Sequence, residues 1–344
     1  KMMLKLKAKF VPLLLIVLPA GLFAQSFAKY AGEFLGIGVG SRSLGMGGAF
    51  VAVARDVTAG YWNPAGLAFI EYPEIMLMHS RQFSGALNYD YGAVGLPVGH
   101  RSSLGFGVIR LGIDDIKETD IPNPDLAVGE IFVDENGQVV RNIPFEAGTF
   151  GATDYALFMT YSKRVSEEFS YGGNVKLLNR SIGDNSAWGI GFDLGVVFSP
   201  AYNVIVGINV QDITSTMIAW DTGRKELITP SVRTGVSYPI QLSMIGGRVQ
   251  PAIDFIFRFE NRKESAQGHI GRMSYDVNFG WEYQYHDAFA LRIGSSEFAP
   301  FTAGAGFHFP KLDIDYAFYR HVDLRNTHRI SAKLTLQEPK FRRK

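Results

Sequence analysis

The chain has 344 residues, with 34 Lys or Arg against 33 Asp or Glu, so its formal net charge is +1. This balance argues against the strongly basic face of a nucleic-acid-binding protein, and the absence of cysteine from the sequence excludes disulfides and thiolate metal sites. The 38 glycines and the 13% of aromatic residues favour many short strands and tight turns over helices.

The N-terminus has the pattern of a secretory signal peptide. Four lysines within residues 1–9 precede an apolar run from Phe10 to Ala24. The run is shorter than the roughly 20 residues of a spanning helix, and two prolines interrupt it, which disfavours the alternative of a transmembrane anchor. Residues 1–24 are the predicted signal peptide, with a second candidate cleavage site at residues 26–28. No later segment has 18 consecutive apolar residues, so no membrane-spanning helix is predicted.

Residues 25–71 are predicted to form a compact plug, or hatch. Nine glycines lie between Gly32 and Gly66, and small residues let a chain fold tightly and adopt positive φ. In the run "GYWNPAG", Pro64 fixes its own φ and biases Asn63 away from helix, which favours a turn. The hatch motif is Asn63, Pro64, Ala65 and Gly66. It either holds the shape of the hatch by turn chemistry or contacts a ligand directly.

Residues 72–336 are predicted to form a membrane barrel. Segments of about ten residues alternate apolar side chains with polar or small ones, as barrel strands do. The clearest is "WGIGFDLGVVF", residues 188–198. Fourteen such segments begin near Tyr72, Ala86, Ser103, Asp154, Phe169, Trp188, Val204, Ser231, Pro251, Met273, Ala288, Pro300, Lys311 and His328. The predicted fold class is all-β: a 14-stranded antiparallel transmembrane β-barrel with the hatch inside its lumen, closed so that no edge faces lipid.

A soluble all-β protein, such as two sandwiches, also shows period two. Aromatics near the ends of the apolar faces favour the membrane instead, because they resemble interfacial girdles. The opposite faces carry isolated charges that suit a lumen: Asp193, Asp254, Arg258, Arg292, Asp313 and Arg329. Arg110 lies in register with lipid-facing residues and is placed at the outer rim. The predicted location is the bacterial outer membrane, with its lipid as one partner.

The connections alternate in length. Those after even-numbered strands are mostly short, and those after odd-numbered strands tend to be longer and more polar, which places the latter outside the cell. The longest spans residues 112–153, and its segment "IFVDENGQVV" predicts a hairpin with Asn136-Gly137 as a type I′ turn. We expect it to cap the pore or contact a partner; the alternative is a mobile loop that shields the rim. Residues 337–344 form a basic C-terminal tail.

The sequence contains no pattern of an enzyme site. Walker, HExxH and GxSxG motifs are absent from it. The carboxylate pairs Asp114-Asp115 and Asp313-x-Asp315 offer too few oxygens for a dedicated Ca²⁺ site. We therefore predict no catalytic residues, no metal site and no cofactor.

The segment "GEFLGIGVGSRSLGMGGAFVAVARDVTAGYWNPAGLA" resembles the N-terminal signature of PorV/PorQ-family outer-membrane proteins. Further matches are "NYDYGAVGLPVG", "SIGDNSAWGIGFDLG", "VQDIT" and "NTHRIS". More distantly, the Asn-Pro-Ala motif is similar to the hatch of FadL-type hydrocarbon channels. The first resemblance implies a membrane-held dock for secreted cargo proteins or a surface-anchored partner, within type IX secretion. The second implies passive uptake of hydrophobic small molecules, with the hatch binding the ligand and shifting to release it.

Overall fold

The structure is a computed structural model that describes residues 32–343, except 201, 202, 243, 245, 261, 263, 264, 298 and 322–324. The predicted signal peptide, the first residues of the predicted hatch and the last residue of the tail lie outside this range. Among the described residues, no helix is long and apolar enough to cross a membrane.

The described part of the chain contains twenty strands. They are β1 Glu74–Gln82, β2 Leu87–Val98, β3 Ser102–Asp120, β4 Ile131–Val133, β5 Val139–Arg141, β6 Phe145–Arg164, β7 Phe169–Ile182, β8 Asn185–Phe198, β9 Ile205–Gln211, β10 Thr216–Trp220, β11 Lys225–Ile228, β12 Ser231–Ser237, β13 Ile240–Leu242, β14 Gly247–Arg258, β15 Gly268–Ile270, β16 Met273–Tyr285, β17 Phe289–Ser295, β18 Thr302–His308, β19 Leu312–His321 and β20 Arg325–Thr335.

Fourteen of these strands form one closed antiparallel wall: β1–β3, β6–β9, β12, β14 and β16–β20. The wall closes where β1 pairs with β20, in a register that runs from Glu74 opposite Thr335 to Arg81 opposite His328. Closure pairs the backbone of the first strand on both sides, as a barrel in lipid requires. The predicted 14-stranded antiparallel barrel is confirmed.

The outer surface of the wall is apolar. Along β8, the outward side chains are Trp188, Ile190, Phe192, Leu194 and Phe198, with exposed fractions between 38% and 63%. Asp193, between two of them in sequence, points inward and is 1% exposed. Aromatic residues near the ends of other apolar faces, Tyr155, Tyr161, Phe301 and Phe309, are exposed as well. Exposing so broad an apolar belt to water is unfavourable, whereas exposing it to the hydrocarbon core of a bilayer is not. The barrel therefore belongs in an outer membrane.

Residues 32–71, the described part of the predicted hatch, are largely buried against the inner face of the wall. They contain two short α-helices, α1 Ser41–Gly45 and α2 Ala59–Trp62, and two 3₁₀ turns, Glu33–Gly36 and Pro64–Phe69. Polar side chains from widely separated wall strands bind hatch backbone: Ser170 of β7 binds Ala65, Asp254 of β14 binds Phe50, Thr302 of β18 binds Gly45 and Arg329 of β20 binds Gly38. The hatch thus supplies half of the residues in the main buried core of the barrel.

The longest connection is an extension of the wall rather than a loop. β3 and β6 have 19 and 20 residues, and their pairing continues to Asp120 opposite Phe145. The hairpin β4–β5 lies at its end, as predicted. Its turn differs from the prediction. Gly137 has φ 77° and its N–H donates to Asp134 O, so the central residues are Glu135 and Asn136. Asn136 is not among the residues with positive φ, which a type I′ turn requires.

Among the outer connections that the structure describes in full, two are especially short, contrary to the expected trend. Residues 83–86 join β1 to β2, and residues 183–184 join β7 to β8. In the second, Ile182 pairs directly with Asn185, and Gly183 adopts φ 55° to make the tight turn. Glycine adopts this conformation without the steric penalty of a side chain, so two residues are enough to connect β7 to β8.

The basic tail folds back against the end of the hatch. The Arg343 side chain donates to Ile70 O at 2.7 Å, to Ser102 O at 3.0 Å and to Ser103 Oγ at 2.6 Å. Its backbone N–H donates to Glu71 O at 2.8 Å. The tail therefore joins the chain that leaves the hatch to the start of β3.

Candidate functional site: the hatch and the outer cavity

The hatch motif is tied to the wall through one amide. Asn63 is fully buried, and its Nδ2 donates to Val51 O at 3.1 Å and to Val196 O at 3.0 Å. Its Oδ1 accepts the N–H of Ala65 at 3.2 Å and so caps the following 3₁₀ turn. One side chain therefore joins two hatch segments to β8. Replacing it removes two buried bonds and a cap, each stabilising by about 1 kcal/mol.

Glycines of the wall let the motif approach closely. A Cβ on Gly195 would lie 2.2 Å from Asn63 Oδ1, and one on Gly172 would lie 2.6 Å from the carbonyl carbon of Pro64. Within the hatch, a Cβ on Gly66 would lie 2.0 Å from Ala54 O. These distances are too short for any side chain, so the motif packs directly on the backbone of β7 and β8. This packing favours the first of the two predicted roles of the motif, which is to hold the shape of the hatch.

Buried ion pairs surround the hatch. Glu282 accepts from Arg42 of α1 and from Arg292 of β17, both at 2.7 Å. Arg292 also pairs with Asp315 at 2.6 Å. On the opposite wall, Lys176 of β7 lies 2.8 Å from Asp193. Buried charges of this kind are tolerated only when paired, so each cluster has a defined geometry.

The remaining predicted lumen charges also point inward. Asp254 accepts the N–H groups of Phe50 and Val51 at 2.6 and 2.9 Å. Asp313 lies 3.1 Å from Lys333. Arg258 binds Glu297, at 2.7 Å, in the outer connection between β17 and β18. Burial raises the pKa of the Glu297 carboxyl, but the Arg258 guanidinium outweighs burial and holds that pKa at about 2.

An apolar cavity of about 390 Å³ lies on the outer side of the hatch. Its apolar lining comes from both hatch and wall: Phe34, Ile37, Leu44, Trp62, Phe83, Leu87, Leu111, Ile256 and Tyr319. Trp62 forms part of its base and is fixed by a bond from Nε1 to Val39 O at 2.9 Å. The size and lining are those of a small-molecule site. None of the four motif residues lines it.

Two arginines that line this cavity have no carboxylate partner among the described residues. Arg329 is 1% exposed and Arg233 is 6% exposed. The Arg329 guanidinium donates to the carbonyl oxygens of Gly38 and Gly40, at 2.9 and 3.4 Å, and its Nε has no partner. The Arg233 guanidinium lies 5.9 Å from the Tyr61 ring, and its Nε also has no partner.

Neutral polar groups complete this end of the cavity. Both amide atoms of Gln82 and the Oδ1 of Asn278 are buried without a hydrogen-bond partner among the described residues. Asp254, which accepts two N–H groups of the hatch, makes no ion pair with Arg233 among the described residues. A buried cation without a counter-ion carries a large desolvation cost. The arrangement favours an anionic or strongly hydrogen-bonding group beside the apolar lining.

Sequence reasoning identified Arg329 as a lumen charge but missed Arg233, Gln82 and Lys176. Each lies at an inward position of a predicted alternating strand, so the period-two pattern could have found them. It could not have shown which inward charges are paired, because their partners are distant in sequence.

No protein-family model and no curated protein matches the sequence. Solved structures do match. The Pseudomonas putida toluene transporter TodX has a TM-score of 0.55 at 12% identity, covering 88% of this chain and 99% of that one. A Pseudomonas aeruginosa FadL homologue has a TM-score of 0.53 at 11% identity, covering 87% and 98%. The Ralstonia pickettii toluene transporter TbuX has a TM-score of 0.52 at 14% identity, covering 86% and 97%. The chain thus has the FadL-type barrel fold.

Proposed function

We propose that this protein is an outer-membrane channel for hydrophobic small molecules that carry an anionic head group. One observation carries the proposal: the apolar cavity outside the hatch holds two buried arginines without carboxylate partners. The similar structures named above include two toluene transporters, which supports passage of hydrophobic molecules. Toluene is a neutral aromatic, so the head-group preference rests on Arg233 and Arg329 alone.

The geometry supports a coupling between binding and hatch movement. The apolar part of the ligand packs against the cavity lining, and its anionic group accepts hydrogen bonds from Arg233 and Arg329. Arg329 otherwise binds the carbonyl oxygens of Gly38 and Gly40 in the hatch. An anion that draws this guanidinium away releases those carbonyls. Binding thereby weakens one attachment of the hatch, while the Asn63 attachment to β8 persists.

Binding measurements test the proposal. Purified protein in detergent is titrated with dodecanoate, dodecanol and dodecylamine, with displacement of a fluorescent probe as the signal. We expect dodecanoate to bind tightest. Arg233→Gln should weaken dodecanoate by about 10- to 100-fold, the range for a hydrogen bond to a charged group, and leave dodecanol within a few-fold of wild type.

Arg110→Gln is the matched control, because Arg110 lies on the outer wall and pairs with Asp90 at 3.3 Å. It should leave all three affinities unchanged. Equal binding of dodecanoate and dodecanol would contradict the anionic head group but not the channel. Failure of every probe to bind, together with unchanged uptake of labelled dodecanoate in a deletion strain, would contradict the channel itself.

A second function has its own observation. We infer a docking role of the PorV/PorQ kind from the long outer extension of β3 and β6, which ends in an ordered hairpin. This role does not depend on the cavity. Deleting residues 120–144 should leave a heat-modifiable barrel with normal ligand binding but abolish retention of a surface partner or release of cargo. Normal secretion and surface composition in that deletion strain would remove the docking role.

A further inference from the structure

The outer extension protrudes far beyond the membrane wall. A transmembrane strand needs about 9–11 residues, whereas β3 has 19 and β6 has 20. The additional residues of the two strands pair with one another, with one shift near Ile113 and another near Glu118. At about 3.3 Å per residue, some ten extra residues form a ribbon of roughly 30 Å.

The end of this ribbon is ordered by its own side chains. Asn142 is fully buried. Its Nδ2 donates to the carbonyl oxygens of Asn123 and Leu126 at 2.8 and 2.9 Å, and its Oδ1 accepts the N–H of Asn123 at 2.9 Å. The Asp134 carboxylate accepts the N–H groups of Asn136 and Gln138 within the hairpin turn. A partner would therefore meet a preformed surface and would not have to order it.

That surface has an uncovered sheet face. β4 and β5 pair only with each other, outside the barrel sheet. Ile131, Val133 and Val139 lie on one face of this two-stranded sheet and are 62%, 64% and 75% exposed. Isolated two-stranded sheets are marginal in water, and their free edges accept further strands. These three residues and the edges of β4 and β5 are called the hairpin face.

The charge around the hairpin face is mostly acidic, although Arg141 lies on that face opposite Ile131. Residues 112–150 contain nine acidic and two basic residues, a net charge of −7, although the whole chain carries +1. Within this extension, the ion pair that the structure describes joins Lys117 to Glu146. The acidic residues are Asp114, Asp115, Glu118, Asp120, Asp125, Glu130, Asp134, Glu135 and Glu146. An anionic lipid head group would be repelled from such a surface, whereas a basic polypeptide would be attracted.

We propose that the hairpin face docks an extended, basic segment of another protein. The segment adds a strand to an edge of β4 or β5. Its alternate apolar side chains cover Val133 and Val139, and its basic side chains meet the surrounding carboxylates. Main-chain bonds and apolar contact give affinity in this mode, and charge gives partner selection and a salt-dependent association rate.

A peptide-binding experiment tests the proposal. The full chain in lipid nanodiscs is titrated with a fluorescent decapeptide of alternating Lys and Val, and with its Glu/Val counterpart, by anisotropy. We expect the Lys/Val peptide to bind and the Glu/Val peptide not to. Val133→Thr combined with Val139→Thr keeps side-chain shape and strand propensity but should weaken binding at least fivefold. Glu118→Gln combined with Glu135→Gln should weaken binding and reduce its salt dependence.

The control is Val165→Thr combined with Glu167→Gln, in the exposed connection between β6 and β7 at the other end of the barrel. It should bind like wild type. Unchanged binding by the Val133/Val139 variant would reduce the interaction to non-specific charge attraction and overturn the proposal.

Photo-crosslinking from position 133 in intact cells then identifies the natural occupant. We expect an adduct with a protein whose crosslinked segment is basic, and none from position 165. Crosslinks only to lipopolysaccharide or only to a second copy of this chain would overturn the proposal. Dodecanoate binding should be unaffected by every hairpin variant, so this test and that of the channel fail independently.

Discussion

The lumen and the outer extension both depart from the usual arrangement of polar residues outside and apolar residues inside. In the lumen, buried charges such as Glu282 and Lys176 have partners within the chain. In the extension, exposed apolar residues such as Val133 and Val139 have none that the structure describes. Within the lumen, the chain provides partners for these buried charges. In the extension, we infer that another protein covers the exposed apolar residues. Arg233 and Arg329 differ from these lumen charges, because neither has a carboxylate partner among the described residues.

The strongest test of this contrast is a charge removal in each region. Glu282→Gln leaves Arg42 and Arg292 without their shared carboxylate, so it should lower the free energy of unfolding by about 3–5 kcal/mol. Glu118→Gln, on the exposed extension, should change it by less than about 0.5 kcal/mol. Urea unfolding of both variants measures the difference. Similar losses would mean that the lumen network stabilises no more than a surface charge does.

Apolar exposure to lipid and to water can be separated in the same way. Phe192→Arg places a charge on the lipid-facing wall and should cost about 2–4 kcal/mol. Val133→Arg places one on the hairpin face, in water, and should leave barrel stability nearly unchanged. Folding yield into vesicles and urea midpoints provide the comparison. Equal tolerance at both positions would contradict the placement of β8 in the bilayer.

Substitution in the hatch motif should have a smaller effect on stability, together with a change in channel conductance. Asn63→Ala breaks the bonds to Val51 O and Val196 O, each costing about 1 kcal/mol or somewhat more because the carbonyls are left buried. The barrel should still form while the hatch loosens, and adding Pro64→Ala should increase the effect. Planar-bilayer recordings should then show larger or more frequent openings than wild type. An unchanged conductance would mean that the motif does not hold the lumen shut.

The smallest expected effect comes from pH at the outer end of the lumen. Because the folded-state pKa of Glu297 is lowered to about 2, its contribution to stability is fully present above the ordinary carboxyl pKa of about 4.3. It is lost as pH falls from there towards 2. Hydrogen exchange in residues 296–301 should stay constant from pH 7 to 5, after correction for intrinsic rates, and rise below 4. Glu297→Gln should remove this pH dependence, and a wild-type rise above pH 5 would contradict the assigned ion pair.

The strands of the barrel wall could be predicted from the sequence alone, and the sequence also suggested an N-terminal hatch. Period-two alternation is a local property, so residues 188–198 identify β8 and its two faces without any other part of the chain. The β4–β5 hairpin was likewise predictable from residues 131–140. Its turn type was not, because Asp134 and the left-handed Gly137 set the geometry together.

Only the tertiary structure decided which inward residues meet. Arg42 and Glu282 are 240 positions apart, and Arg329 reaches Gly38 across 291. Closing fourteen strands around the hatch brings such pairs together. The height of each inward side chain in the lumen depends on the pairing registers of all the strands in the wall. The same closure leaves Arg233 and Arg329 beside the apolar cavity, and neither has a carboxylate partner among the described residues. Alternation in sequence specifies that a side chain faces inward, but the partner it finds there depends on the whole wall.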